Sequence, residues 1–107
     1  MSARELAFEI VSNYERHGWK LRRLLLRPET RADLHDQAFD EALVIESDFN
    51  ALWFARSSHQ KREAWELRLL AEQPYALFEA FEADESEEDR EDARREMENK
   101  MREHANR

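Results

Sequence analysis

Apolar residues recur at Ala3, Leu6, Ala7, Ile10, Val11 and Tyr14, one stripe of a 3.6-residue period, so the chain is expected to open with an amphipathic helix. Ser2 and Glu5 have the spacing of a capping box, in which the hydroxyl accepts from the third helical N–H and the glutamate reaches back to the cap. Gly18, the only glycine, follows Arg16 and His17, where a left-handed residue would stop the helix and a basic last turn would suit its dipole. The helix should end near His17.

Residues 19–28, WKLRRLLLRP, lie between that glycine and Pro28 and suit a strand better than a second helix. Their alternation is imperfect. Trp19, Leu21 and Leu25 share one parity while Leu24 and Leu26 take the other, so both faces are expected to be partly covered. Thr30 and Asp33 resemble a helix start, and Leu34, Ala38 and Ala42 recur four apart, which suggests a short helix over 31–41. Residues 42–47 are β-branched enough for a strand, with turn chemistry at Asp48, Phe49 and Asn50.

The stretch 50–70, NALWFARSSHQKREAWELRLL, alternates twice and reads as two strands joined by a polar loop, Ser58 to Lys61, closed by Ser57 and Arg62. Setting Phe54 opposite Trp65 and Leu52 opposite Leu67 gathers the apolar set on one face, whereas a shift of one residue would set Phe54 against Glu66 and scatter it over both. The preferred register sends the indoles of Trp53 and Trp65 to opposite sides. Burial of Trp65 beside Phe54 would stabilise the fold by roughly 1.5 to 3 kcal/mol per large side chain, with about 0.5 to 1.5 kcal/mol more for the ring pair. Trp53 then either lies under the first or last helix as a second small core, or stands partly exposed with Glu66 and Arg68 as an interface anchor.

Residues 75–82 form a further expected strand, with Tyr75, Leu77 and Phe81 on one parity and Phe78 on the other, and Pro74 at its start. From 84 to 107 the pattern is a charged helix with Ser86 and Asp89 at its start. Its apolar positions Ala93, Met97, Met101 and Ala105 fall four apart. Pairs such as Glu91 with Arg95 and Glu96 with Lys100 support it by about 0.2–0.5 kcal/mol each. So narrow a stripe should dock weakly and leave the helix extended or frayed. The whole is expected to be one α+β domain over 1–107, an antiparallel β-meander packed against an N-terminal helix, with the charged helix last.

Composition narrows function by exclusion. A chain of 107 residues with 39% charged positions has room for one core and a very polar surface. Absence of cysteine excludes thiol nucleophiles, disulfides and Cys-containing metal sites. A single glycine excludes the known glycine-rich phosphate cradles. Acids at Glu5 and Glu9 interrupt any secretory h-region, and no run approaches the ~18 apolar residues of a bilayer span. A cytoplasmic protein with no membrane partner is expected.

The net charge of −8 makes nucleic acid an unlikely partner. Residues 1–72 hold 11 basic and 13 acidic groups, but 73–107 hold 6 and 12. The basic stretch Arg16, Lys20, Arg22, Arg23, Arg27 and Arg31, interleaved with Trp19, is the one feature that hints at nucleic acid; against that stand an edge protected by charge and a partner for the molecule's own acidic tail. The acidic run Glu79 to Asp92 complements a helix start or holds a basic partner.

The densest ligand-capable group is Asp33, His35, Asp36 and Asp40, but no second histidine completes a metal set. Ser57, Ser58 and His59 sit together in the hairpin loop without an orienting carboxylate, as turn residues do. No cofactor, metal or catalytic residue is predicted. A non-catalytic protein-interaction module is therefore expected, with contacts from Trp53, Glu66 and Arg68, binding a protein partner or self-associating as a homodimer through the Trp53 face or the methionine stripe. The competing class is a small enzyme or ligand binder with a pocket between sheet and helix.

Overall fold

The computed structural model describes residues 2–34, 39 and 41–106. Helix α1 (Ala3–Arg16) begins with the expected capping box, Glu5 N–H donating to Ser2 Oγ at 3.1 Å and Ser2 N–H to Glu5 Oε1 at 3.2 Å. At its other end Gly18 takes φ +86°. Its N–H donates to the Glu15 carbonyl at 3.1 Å, and Trp19 N–H donates to Tyr14 O at 3.1 Å. This paired closure needs a left-handed residue, which glycine adopts without a Cβ penalty.

Five strands follow in one sheet: β1 (Lys20–Leu26), β2 (Leu43–Glu46), β3 (Ala51–Ser57), β4 (Glu63–Leu69) and β5 (Ala76–Phe81). Their spatial order is β2-β1-β3-β4-β5. The expected all-antiparallel meander holds for β3, β4 and β5, and β1 also pairs antiparallel with β3, but β1 and β2 pair in parallel. A parallel pair needs a long crossover. Residues 27–42 supply it and include the short helix α2 (Pro28–Asp33), whose proline occupies a first-turn position that needs no N–H. The helix expected over 31–41 thus starts earlier and ends at Asp33, while 35–38 and 40 lie outside the described residues.

The sheet is covered on both sides. A bulge between Leu21 and Arg23 resets the parity of β1, which is why its sequence alternates imperfectly. Leu21, Leu24 and Leu26 join Leu52, Phe54 and the α1 residues Ala7, Ile10 and Val11 in one buried cluster. Leu25, Ala51, Trp53, Trp65, Leu67 and Phe81 form the other, under helix α3 (Glu87–Ala105), which contributes Met97 and Met101.

Coverage of both faces overturns the expected hairpin register. Trp53 lies opposite Leu67, Ala55 opposite Trp65 and Phe54 opposite Glu66, one residue away from the arrangement that gathers apolar groups on one side. That arrangement has an advantage only when the second face is wet. Here scattering the apolar side chains over both faces feeds two clusters. The last pair is Ser57 with Glu63, and the loop closes through Ser58 N–H to Arg62 O at 2.8 Å with Gln60 and Lys61 in left-handed conformations.

Candidate functional site

The two central tryptophans share a face. Their ring centroids are 5.8 Å apart at 74°, an edge-to-face contact, and not on opposite sides as expected. Trp53 is 0% exposed, and its indole N–H donates to Glu98 Oε2 of α3 at 2.8 Å. The last helix therefore covers it, and Trp53 offers no surface to a partner. Glu66 and Arg68 occupy the opposite face, away from Trp53. Met97 and Met101 are buried, so the methionine stripe is core and not a free contact surface.

The helix expected to dock weakly is held by more than its methionines. Arg94 is 2% exposed and lies over the Trp65 ring at 4.5 Å from its centroid, with Nε donating to Glu91 Oε1 at 2.8 Å and Nη2 paired with Glu87. Arg23 from β1 reaches Glu91 at 3.3 Å. Arg102 bonds Asp48, in the loop between β2 and β3, at 2.8 Å. Part of the basic stretch thus answers the molecule's own acidic segment.

On the other face α1 lies over β1, and its cover thins beyond β3. Tyr14, two residues before the helix end at Arg16, stacks on Phe54 at 4.0 Å between centroids and 9°, and its hydroxyl donates to Glu66 of β4. Burial, followed by that hydrogen bond to a carboxylate, raises the Tyr14 pKa well above its ordinary value. The glycine closure then places Trp19 edge-on to Tyr14 at 6.1 Å. Trp19 in turn meets Phe78 of β5 edge-on at 6.3 Å, while Arg56 lies over the indole at 4.7 Å and donates to His17 O at 3.0 Å.

A chain of aromatic rings therefore runs outward from Phe54, fully buried, through Tyr14 and Trp19 to Phe78, which is 57% exposed. Glu66 lies directly opposite Phe78 in the β4–β5 ladder, and Arg68 lies opposite Ala76. Arg68 donates to Ala71 O at 3.1 Å, but its buried Nε has no partner among the described residues. Two of the three sequence-derived site residues are thus neighbours on this half-covered face, and Trp53 is not among them. Sequence reasoning missed Trp19 and Phe78. Their signal was the opposite parity of Phe78 in its strand and the position of Trp19 directly after the helix-stopping glycine.

Ala76, Phe78 and Ala80 are all exposed. They lie on β5, one border of the sheet. The border strand at the other side, β2, has four residues.

Other candidates do not assemble. Of the acidic and histidine group, His35, Asp36 and Asp40 lie outside the described residues, and no metal-holding set of three or more His, Cys, Asp or Glu occurs among the described ones. Ser57, the last residue of β3, and Ser58 and His59 in the loop after it are all exposed. Among the described residues no helix is long and apolar enough to cross a membrane. Compared with protein-family models, curated proteins and solved structures, the chain finds no match.

Proposed function

We propose that the protein is a non-catalytic protein-interaction module, a single cytoplasmic domain that contacts another polypeptide through the border of β5 and the adjoining half-covered face. One observation carries this: Phe78 is 57% exposed at the end of an aromatic chain anchored in the core. A large apolar side chain held in place by rings behind it loses little freedom on binding. Trp19, Glu66 and Arg68 surround it with the aromatic and charged chemistry common at contact anchors. Nucleic acid is disfavoured as the partner by the charge of −8 and by the engagement of Arg23 with Glu91 and of Arg27 with Glu29.

A benzophenone side chain installed at position 78 in the native cell, with position 43 as an exposed control on the other border, tests the proposal. Light should yield a higher-mass adduct with a polypeptide from position 78 and none from position 43. No adduct at 78, or equal adducts at both positions, would refute it.

A further inference from the structure

Building on that surface, we infer that its occupant is a second copy of this chain, joined by antiparallel pairing of β5 with β5 into one continuous sheet. Tyr75 O accepts from Leu69 N–H at 2.9 Å. Main-chain groups alternate sides along an antiparallel strand, so Tyr75, Leu77, Glu79 and Phe81 turn theirs toward β4, and Ala76, Phe78 and Ala80 turn theirs outward. Native sheets protect such borders by shortness, lysine, proline or a bulge. The β2 border is short, at four residues. β5 has six, contains no lysine or proline, and carries only Glu79 as a charge.

The outward groups also choose the register. With Phe78 opposite the partner's Phe78 and Ala76 opposite the partner's Ala80, every outward N–H and C=O of the three residues meets a counterpart. Sliding one way sets Ala80 against Pro74 of the partner subunit, which has no N–H. Sliding the other way sets Glu79 against the partner's Glu79, and Ala76 against Glu82, whose N–H is already bonded to Glu85 Oε1 at 2.8 Å. In the favoured frame Glu79 faces the partner's Leu77. A two-fold axis through Phe78 makes this contact isologous and self-limiting.

One strand border and one pair of phenylalanines fall short of the roughly 800 Å² per partner of a standard interface. The dimer is therefore reversible and concentration-dependent. Each copy carries −8, so added salt, by screening repulsion, tightens self-pairing. A basic partner at the same surface would respond in the opposite sense.

Sedimentation equilibrium of the full chain, from micromolar to sub-millimolar concentration at low and high salt, tests this. The mass should rise from 12.9 kDa toward twice that value, and at lower concentration in high salt. Ala80→Pro removes an outward donor without touching the β4 ladder and should raise Kd about tenfold or more, with circular dichroism unchanged. Phe78→Lys, a charge at the border, should do the same and carries the test if the proline variant fails to fold. Wild type remaining at monomer mass throughout would overturn self-pairing, as would folded variants that associate as tightly as wild type. In that event a position-78 adduct with a different polypeptide would leave the interaction surface standing, and its absence would remove both.

Discussion

Arg94 shows how burial and charge separate in a single residue. Its side chain is 2% exposed, yet its carboxylate partners Glu87 and Glu91 are 74% and 42% exposed. Removing the guanidinium therefore strands no buried anion, because water reaches both carboxylates. What the residue supplies is cover for Trp65 and Phe81, which it overlies at 4.5 and 5.7 Å, and long cationic side chains do stabilise through such packing. Arg94→Met should keep most of that cover and cost about 1 kcal/mol, from the lost cation–π contact and solvent-screened ion pairs. Arg94→Ala should cost about 2 kcal/mol or more through the space left over the rings. Urea midpoints compare the two, and equal losses would show that charge and not packing is what the position contributes.

At the level of elements, α3 depends on its first turn as well as on its buried side. Ser86 Oγ accepts from Asp89 N–H at 3.1 Å, and Glu87, Glu88 and Asp89 crowd the positive end of the helix. Ser86→Ala should lower stability by about 1 kcal/mol in urea denaturation and speed exchange of the Asp89 amide; unchanged exchange there would mean that the cap is not what holds the turn. That start was legible in the chain, as were the capping box at Ser2, the stop at Gly18 and the positions of the strands, because each rests on residues close in sequence. The relation between elements was not. The crossover through α2 places β2 beside β1 in parallel, and nothing local at 42–47 specifies direction. The β3–β4 register was misjudged because its choice depends on whether α3 covers the second face, a fact decided by Met97, Met101 and Arg94 some thirty or more residues away. Glu66 and Arg68 lie on the face away from Trp53, with which the expected register joins them, for the same reason. Their actual neighbour, Phe78, enters only through the β4–β5 pairing.

Across the whole molecule, the ion pairs that tie α3 to the sheet and the phenol that ties α1 to it set opposite limits on pH. Burial raises the Glu91 pKa, but hydrogen bonds from Arg94 and Arg23 outweigh it and leave the group below its ordinary 4.5. The Arg102 hydrogen bond lowers Asp48 from 3.8. For groups depressed in the folded state, stability is present above the ordinary value and lost as pH falls through the lower folded one. An acid limb should therefore begin below about pH 4.5, and it should be shallow because the Glu91 side chain is 42% exposed and screened. Tyr14 runs the other way. Its raised pKa, from burial first and the Glu66 hydrogen bond second, gives a contribution complete below 10.0 and lost as pH climbs toward the folded value. Urea unfolding across pH should consequently show losses at both ends, with Glu91→Gln flattening only the acid limb and Tyr14→Phe only the alkaline one. If Tyr14→Phe leaves the alkaline limb as steep as in wild type, Tyr14 is not the group that couples α1 to the sheet in that range, and the aromatic chain leading to Phe78 would have to be held by its ring contacts with Phe54 and Trp19 alone.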